Sequence, residues 1–408
     1  MKVPFFISRR IIFNTQPSFS RFIIRLAVSA TALSVAAMII TLSLVNGFQR
    51  AVSEKVISFW GNLRIQSLSP IRSMVSEEGS FQRSDSIENA ISQGPGIKHF
   101  HAFAAKSVVL KTRENFEGVL LKGVDRSFAK MEFPFLKKGR SLHFPDSGYS
   151  ADIMISEATA TQLQVKPGDT LQCIFIRSGE DIRTRPLIIS GLYKTGIEEY
   201  DNSFALADLN FLRRLNLWDS LEVGGYEAWT SPGTNADTAA LAVNNALPQG
   251  ISCYTIQRLY PNIFDWLAIQ DQTKQIVIWV MIAVAVINLI TCLLILVMER
   301  TRMVGILKAV GMNERSIGKI FWFYAAWIAF VGIGIGLLFG LGICFLQQWT
   351  GLLKMDEATY YVREMPVHII WWQVGLVAFG SFAICFLAVR LPLLFIRTIS
   401  PVKAIRFQ

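Results

Sequence analysis

Charge and histidine are both scarce in this chain. Only 17% of its 408 residues are charged and four are histidine, whereas 52% are hydrophobic. Soluble domains of this length usually carry more charge, so membrane segments are the first expectation. Missing motifs narrow the field further. There is no GxxxxGK[ST] phosphate loop, so the chain is not itself the ATPase of a transporter, and no GxSxG elbow marks a serine nucleophile. The histidines are His99, His101, His143 and His368. His99 and His101 could hold a metal from one strand, but no third ligand can be named, and a pair of surface histidines is the plainer reading. No catalytic residue, metal or other cofactor is therefore assigned to this chain.

Cysteine is sparse as well. Cys292, Cys344 and Cys385 fall in apolar runs and read as small buried hydrophobes. Cys173 and Cys253 lie in the polar middle region, where an oxidising compartment would let them pair. The net charge of +10 does not point to nucleic acid. The basic residues flank apolar runs, and no base-reading or stacking module is visible.

Four apolar runs remain, each near the roughly 20 residues that a membrane crossing requires. They are expected at residues 21–46, 275–298, 320–346 and 370–397. The first begins after Lys2, Arg9 and Arg10 like a signal peptide, but it continues too far and is read as a retained span. Residues 1–20 mix Phe5, Phe6, Ile11, Ile12 and Phe13 with those cations, a composition suited to an interfacial helix. Short-loop charge sets the orientation. Residues 299–319 hold Arg300, Arg302, Lys308, Arg315 and Lys319 against two glutamates, whereas residues 347–369 carry no basic excess. Both termini, including the tail 398–408, and the loop 299–319 are therefore expected in the cytoplasm. Residues 47–274 and 347–369 are expected outside the membrane. The Arg390 side chain near the inner end of the last run is expected to snorkel to the interface.

The long insertion, residues 47–274, has ordinary globular patterning. Strand-like runs at 106–111, 118–123, 170–177 and 185–193 alternate with helical patterns at 84–92, 156–163, 208–215 and 235–247. The sequence thus describes a membrane protein with four transmembrane α-helices and a large α+β extracytoplasmic domain between helices one and two. No proline interrupts residues 262–275, and the first helix is expected to run on to about residue 59. Both would then continue outward as stalks.

Two motifs stand out. Gly332, Gly336 and Gly340 recur every four residues in the third span, a pattern that lets another helix approach closely. The loop after the second span contains Met303, Ile306, Leu307 and Val310 at helical spacing, followed by Gly311. It is expected to form a short amphipathic helix on the membrane surface. By composition alone it is equally an inert interfacial helix or a docking helix for a cytoplasmic partner.

That loop also carries a resemblance. Glu299-Arg-Thr-Arg-Met-Val-Gly-Ile-Leu-Lys-Ala-Val-Gly311, with four spans and a large insertion, resembles the FtsX-like permease superfamily of ABC proteins. The likeness is greatest to its lipoprotein-releasing branch. It rests on Asn46-Gly-Phe48, Val119-Leu-Leu-Lys-Gly-Val-Asp125, Ile189-Ser-Gly-Leu-Tyr-Lys-Thr-Gly-Ile-Glu-Glu-Tyr-Asp201, Asn288-Leu-Ile-Thr-Cys292, Tyr360-Tyr361, Met365-Pro366 and Pro401-Val-Lys-Ala-Ile-Arg406.

The resemblance implies a location in the bacterial inner membrane and a cytoplasmic ABC ATPase dimer that uses ATP and Mg. It assigns the contact with that ATPase to Glu299, Arg300, Arg302, Val304, Gly305, Ile306, Leu307, Lys308, Gly311 and Met312. It further implies a second permease subunit, the same or related, membrane lipids, and a lipoprotein substrate. The lipid chains of that substrate would sit against Met38, Leu42, Val45 and Val280. A periplasmic lipoprotein chaperone is a partner in this branch, recruited by a protruding loop; here the corresponding loop, residues 177–183, is short. An FtsX/MacB-like mechanotransmitter, moving its outer domain to activate a hydrolase or drive efflux, is the alternative.

Overall fold

A computed structural model describes residues 6, 19–67, 79–130, 133–176 and 182–390. The expected interfacial helix 1–20 lies almost wholly outside the described residues, as do residues 177–181 of the short loop and the tail 398–408. The chain divides into two compact units. One is helical and, among the described residues, holds 19–50, 267–354 and 364–390; the other holds the described residues of Ala51–Trp266 together with Met355–Arg363.

Among the described residues, four helices are long and apolar enough to cross a membrane. They run Phe19–Trp60, Pro261–Glu299, Glu314–Thr350 and Trp371–Ala388. The first two extend well beyond a bilayer's thickness, since 42 and 39 residues at 1.5 Å each exceed its roughly 30 Å core. Hydrophobic pattern explains the bundle. Ala27, Val35, Met38 and Ile39 of the first helix, Leu289, Leu293 and Leu296 of the second, and Ile317, Phe321 and Ile328 of the third are all buried in one cluster. Two polar side chains are satisfied inside it: Asn288 Nδ2 and Thr31 Oγ1 both donate to the Ala27 carbonyl, at 3.3 and 2.8 Å.

The inserted domain is built on β-strands. Its strands are β1 (Leu63–Ser67), β2 (Phe81–Gln82), β3 (Ile97–Lys111), β4 (Phe116–Val124), β5 (Leu136–Gly139) and β6 (Asp152–Ser156). They continue with β7 (Thr170–Ile176), β8 (Ile182–Tyr193), β9 (Phe204–Asp208), β10 (Glu222–Val223), β11 (Gly225–Thr230) and β12 (Ile251–Thr255). Among the described residues, ten of these join one mixed sheet in the order β12-β1-β11-β3-β4-β9-β6-β8-β5, and β7 pairs with both β3 and β8. The path β3-β4-β9-β6-β8-β7 therefore returns to β3, which leaves no open edge within that ring. Helices pack on the sheet where side-chain caps start them: Ser84, Ser156, Asp208 and Asn235 each accept from a backbone N–H of the first turn.

Cys173 and Cys253 do not pair: both are free and buried, on β7 and β12, with β1, β11 and β3 between them along the sheet. Within the loop 347–369, the nine residues Met355–Arg363 belong to the inserted unit.

Candidate functional site

The segment joining the second and third long helices is a helix–turn–helix. A short helix, Thr301–Ala309, begins one residue after the second long helix ends. It stops at Gly311, whose φ of +87° favours glycine. There Gly311 N–H donates to Lys308 O at 3.0 Å and Met312 N–H to Leu307 O at 2.9 Å. This pair of bonds is the Schellman arrangement, and the Leu307 and Met312 side chains both pack against the bundle core, as that motif favours. Asn313 then caps the third long helix by accepting from Arg315 N–H at 3.1 Å. Lys308 closes the turn on Glu314 at 3.1 Å.

The apolar stripe read from the sequence does not lie on one surface. Met303 and Leu307 turn toward the bundle, whereas Ile306 and Val310 are 49% and 82% exposed. Val304, which lies off that stripe, is fully buried, and Gly305 is buried beside it. The buried face is thus rotated toward Val304, because the short helix packs against the third long helix as well as presenting a surface. Of the expected contact residues, Arg302, Ile306 and Gly311 are exposed, as is Glu299. Arg300, Leu307, Lys308 and Met312 are half-buried.

The glycine stripe has a defined partner. A Cβ on Gly332 would fall 2.9 Å from Thr31 Cβ, one on Gly336 2.6 Å from Ala32 O, and one on Gly340 3.0 Å from Ala36 Cα. The third helix is therefore seated directly on the first. Gly334 and Gly342 have open space.

The four positions expected to line a lipid cleft do not share a face. Met38 and Leu42 are buried within the bundle, Val45 is half-buried, and Val280 is exposed. Position along a span does not give rotation about the helix axis. Val280 instead shares a face with Ile276, Val284 and Ile287, all of them exposed, at helical spacing.

In the inserted domain the histidine pair is also corrected. His99 is exposed, but His101 is buried, with Nε2 3.2 Å from Glu227 Oε2. Lys122 Nζ lies 2.7 Å from the same oxygen and donates to Phe59 O at 3.0 Å. Lys122 also faces the Trp60 ring, and Arg64 stacks over Phe103 and donates to Tyr260 Oη at 3.1 Å. Burial alone would raise the Glu227 carboxyl, but Lys122 and His101 outweigh it and hold it below the usual carboxylate range. Among the described residues no group of three or more His, Cys, Asp or Glu could hold a metal ion.

Among the described residues, four apolar helices, a large insertion between the first two and a helix–turn between the next two describe a multi-pass membrane protein. The chain belongs to the permeases with a MacB-like periplasmic core: the family model of the MacB-like periplasmic core domain matches residues 26–246, and that of the FtsX-like permease C-terminal region matches residues 275–401. Full-length relatives agree. The lipoprotein-releasing system transmembrane protein LolC of Neisseria meningitidis serogroup B is 23% identical over 410 residues, covering 96% of this chain and 95% of its own. LolE of Haemophilus influenzae is 22% identical over 409 residues, with 96% of each chain covered. Among solved structures, the periplasmic region of MacB from Actinobacillus actinomycetemcomitans covers 51% of this chain and 95% of its own, at 16% identity and a TM-score of 0.36, too low to bear on function.

Proposed function

We propose that this chain is the permease subunit of an ABC transporter that releases outer-membrane-directed lipoproteins from the inner membrane. ATP hydrolysis in a separate ATPase dimer would drive it, with Mg bound there. The observation that carries this reading is the near full-length match to two lipoprotein-releasing permeases, which spans both the inserted domain and the helices. The relatives' names supply the substrate class.

In this reading both termini and residues 299–319 face the cytoplasm, and the exposed Arg302, Ile306 and Val310 meet the ATPase. Val304 and Gly305 hold the short helix to the bundle, so a push on its exposed face moves the third long helix. A second permease subunit completes the membrane path. The exposed Ile276, Val280, Val284 and Ile287 supply an apolar wall for acyl chains. Lifting such chains must offset roughly 0.8 kcal/mol per methylene, more than one weak binding step provides.

The MacB-like core and the unbroken helix Phe19–Trp60 favour a second reading. In it the inserted domain is moved to act on a hydrolase or an efflux duct, and nothing passes through this subunit. Depletion of the chain separates the two. Outer-membrane lipoproteins retained in the inner membrane soon after depletion, with cell-wall hydrolysis intact, support release. Normal sorting sinks it and favours mechanotransmission.

A further inference from the structure

Nine residues between the third and fourth long helices, Met355–Arg363, fold with the inserted domain rather than with the helices that flank them in sequence. The strap is closed on itself: Met355 N–H donates to Arg363 O at 2.9 Å, and a helical turn, Glu357–Tyr360, ends at Tyr361. Its grip on the domain is mostly polar. Glu357 Oε2 receives Lys194 Nζ of the domain at 2.8 Å, and Arg363 Nε from within the strap at 2.6 Å. Lys55 Nζ donates to Tyr361 O at 2.6 Å, and Tyr361 Oη donates to Glu199 Oε1 at 3.0 Å. The Tyr361 ring meets Trp266 edge-on at 5.9 Å, and Val362 is the buried apolar anchor.

The seat is shaped for this strap. At Gly196, with φ of +76°, a Cβ would fall 2.6 Å from both Glu357 Oε1 and Lys55 Nζ. Asp201 holds the seat rigid, accepting from Thr195 N–H at 2.9 Å, Thr195 Oγ1 at 2.8 Å and Gly196 N–H at 3.1 Å. The stretch 194–201, which leads from β8 into the short helix Glu198–Ser203 before β9, thus has a ligand within its own chain. Burial would raise the Glu357 carboxyl, but Lys194 and Arg363 outweigh it and keep it below the usual range, so it is charged at neutral pH.

We propose that Met355–Arg363 is a releasable ionic latch, by which the connection between the third and fourth helices takes hold of the inserted domain and lets it go. Two features fit release better than a permanent seal. The ion pair from strap to domain, Lys194–Glu357, leaves 30% and 21% of its side chains exposed, and ion pairs of that kind exchange a protein partner for water at little cost. Tyr361 sits at φ of +61°, a conformation that a tyrosine keeps only while its surroundings hold it. The latch is independent of the lipoprotein reading.

Hydrogen exchange on the full-length chain in lipid nanodiscs tests it. In the natural sequence, the amides of Met355, Tyr360 and Tyr361 should exchange at least about tenfold faster than those of β3 and β4, because the strap opens without the sheet. Glu357→Gln should speed them a further tenfold or so and leave the sheet unchanged. Gly196→Val, which fills the seat, should do the same. If that variant also loosens the sheet, Glu357→Gln decides alone. Strap amides that exchange only together with the sheet, or that do not respond to Glu357→Gln, overturn the latch. Lipoprotein sorting is not read in this experiment, so failure of one idea leaves the other standing.

Discussion

Asn46 of the first long helix donates its side-chain amide to Gln373 of the fourth at 2.6 Å, immediately before Gly47 meets the backbone of Pro366. The same asparagine accepts from Lys274 of the second helix at 3.3 Å. One polar residue at the end of the apolar run thus ties three helices of the bundle, and the next residue must be small.

Asn46→Ala should cost about 1–3 kcal/mol, because it leaves Gln373 and Lys274 without a nearly buried partner. Gly47→Val should cost more, since its side chain would meet backbone at Pro366 and His368 rather than a flexible tip. Thermal unfolding in detergent should rank the two variants in that order.

The glycines of the third helix should separate by face. Gly336→Leu forces the first helix away from Ala32 and Val35 and should destabilise by at least about 1–3 kcal/mol. Gly334→Leu points into open space and should leave the melting temperature nearly unchanged. Equal effects would show that the stripe is not what seats the two helices.

Substitutions in the short helix Thr301–Ala309 and its cap should split into two kinds. Val304→Ala removes two buried methyl groups and should cost roughly 2 kcal/mol of stability. Val310→Asp, at an 82% exposed site, should leave stability intact but weaken capture of the proposed ATPase. Co-purification with undiminished ATPase from Val310→Asp would remove this face from the contact.

Acid should act on the inserted domain through Glu227. A carboxyl held below its ordinary value stabilises the fold fully above the unfolded pKa, near 4.5, and loses that contribution as pH falls through the folded value. Glu227→Gln should therefore flatten the acid limb of the unfolding curve. At neutral pH it should cost about 3–5 kcal/mol, because it breaks the buried Lys122–Glu227 ion pair.

Burial pushes the Cys173 and Cys253 thiols up to about 12, and both are shielded from solvent. Neither should react with a water-soluble maleimide until the chain is denatured, and reductant should not change its mobility. Rapid labelling of the native protein would contradict the burial of both strands.

Composition and periodicity determined much of this protein. A run of about 20 apolar residues has few alternatives to a membrane helix, so four helices, the large insertion and the glycine stripe were legible as a list of elements. The helical patterns at 84–92, 156–163, 208–215 and 235–247 each begin at the residue that caps the helix, because a capping side chain acts within its own first turn. What the fold decided is rotation and long-range pairing. Whether Met38 faces a neighbour or the bundle depends on how its helix is turned, and an apolar helix carries little polar asymmetry to announce that. His101 met Glu227 only when β3 and β11 were set side by side, 126 residues apart at these two positions. The strap Met355–Arg363 reads as a polar loop because each of its contacts, Lys55, Lys194, Glu199 and Trp266, lies far away in sequence. Local pattern records what a residue does within its own turn or strand; tertiary structure alone supplies its partner.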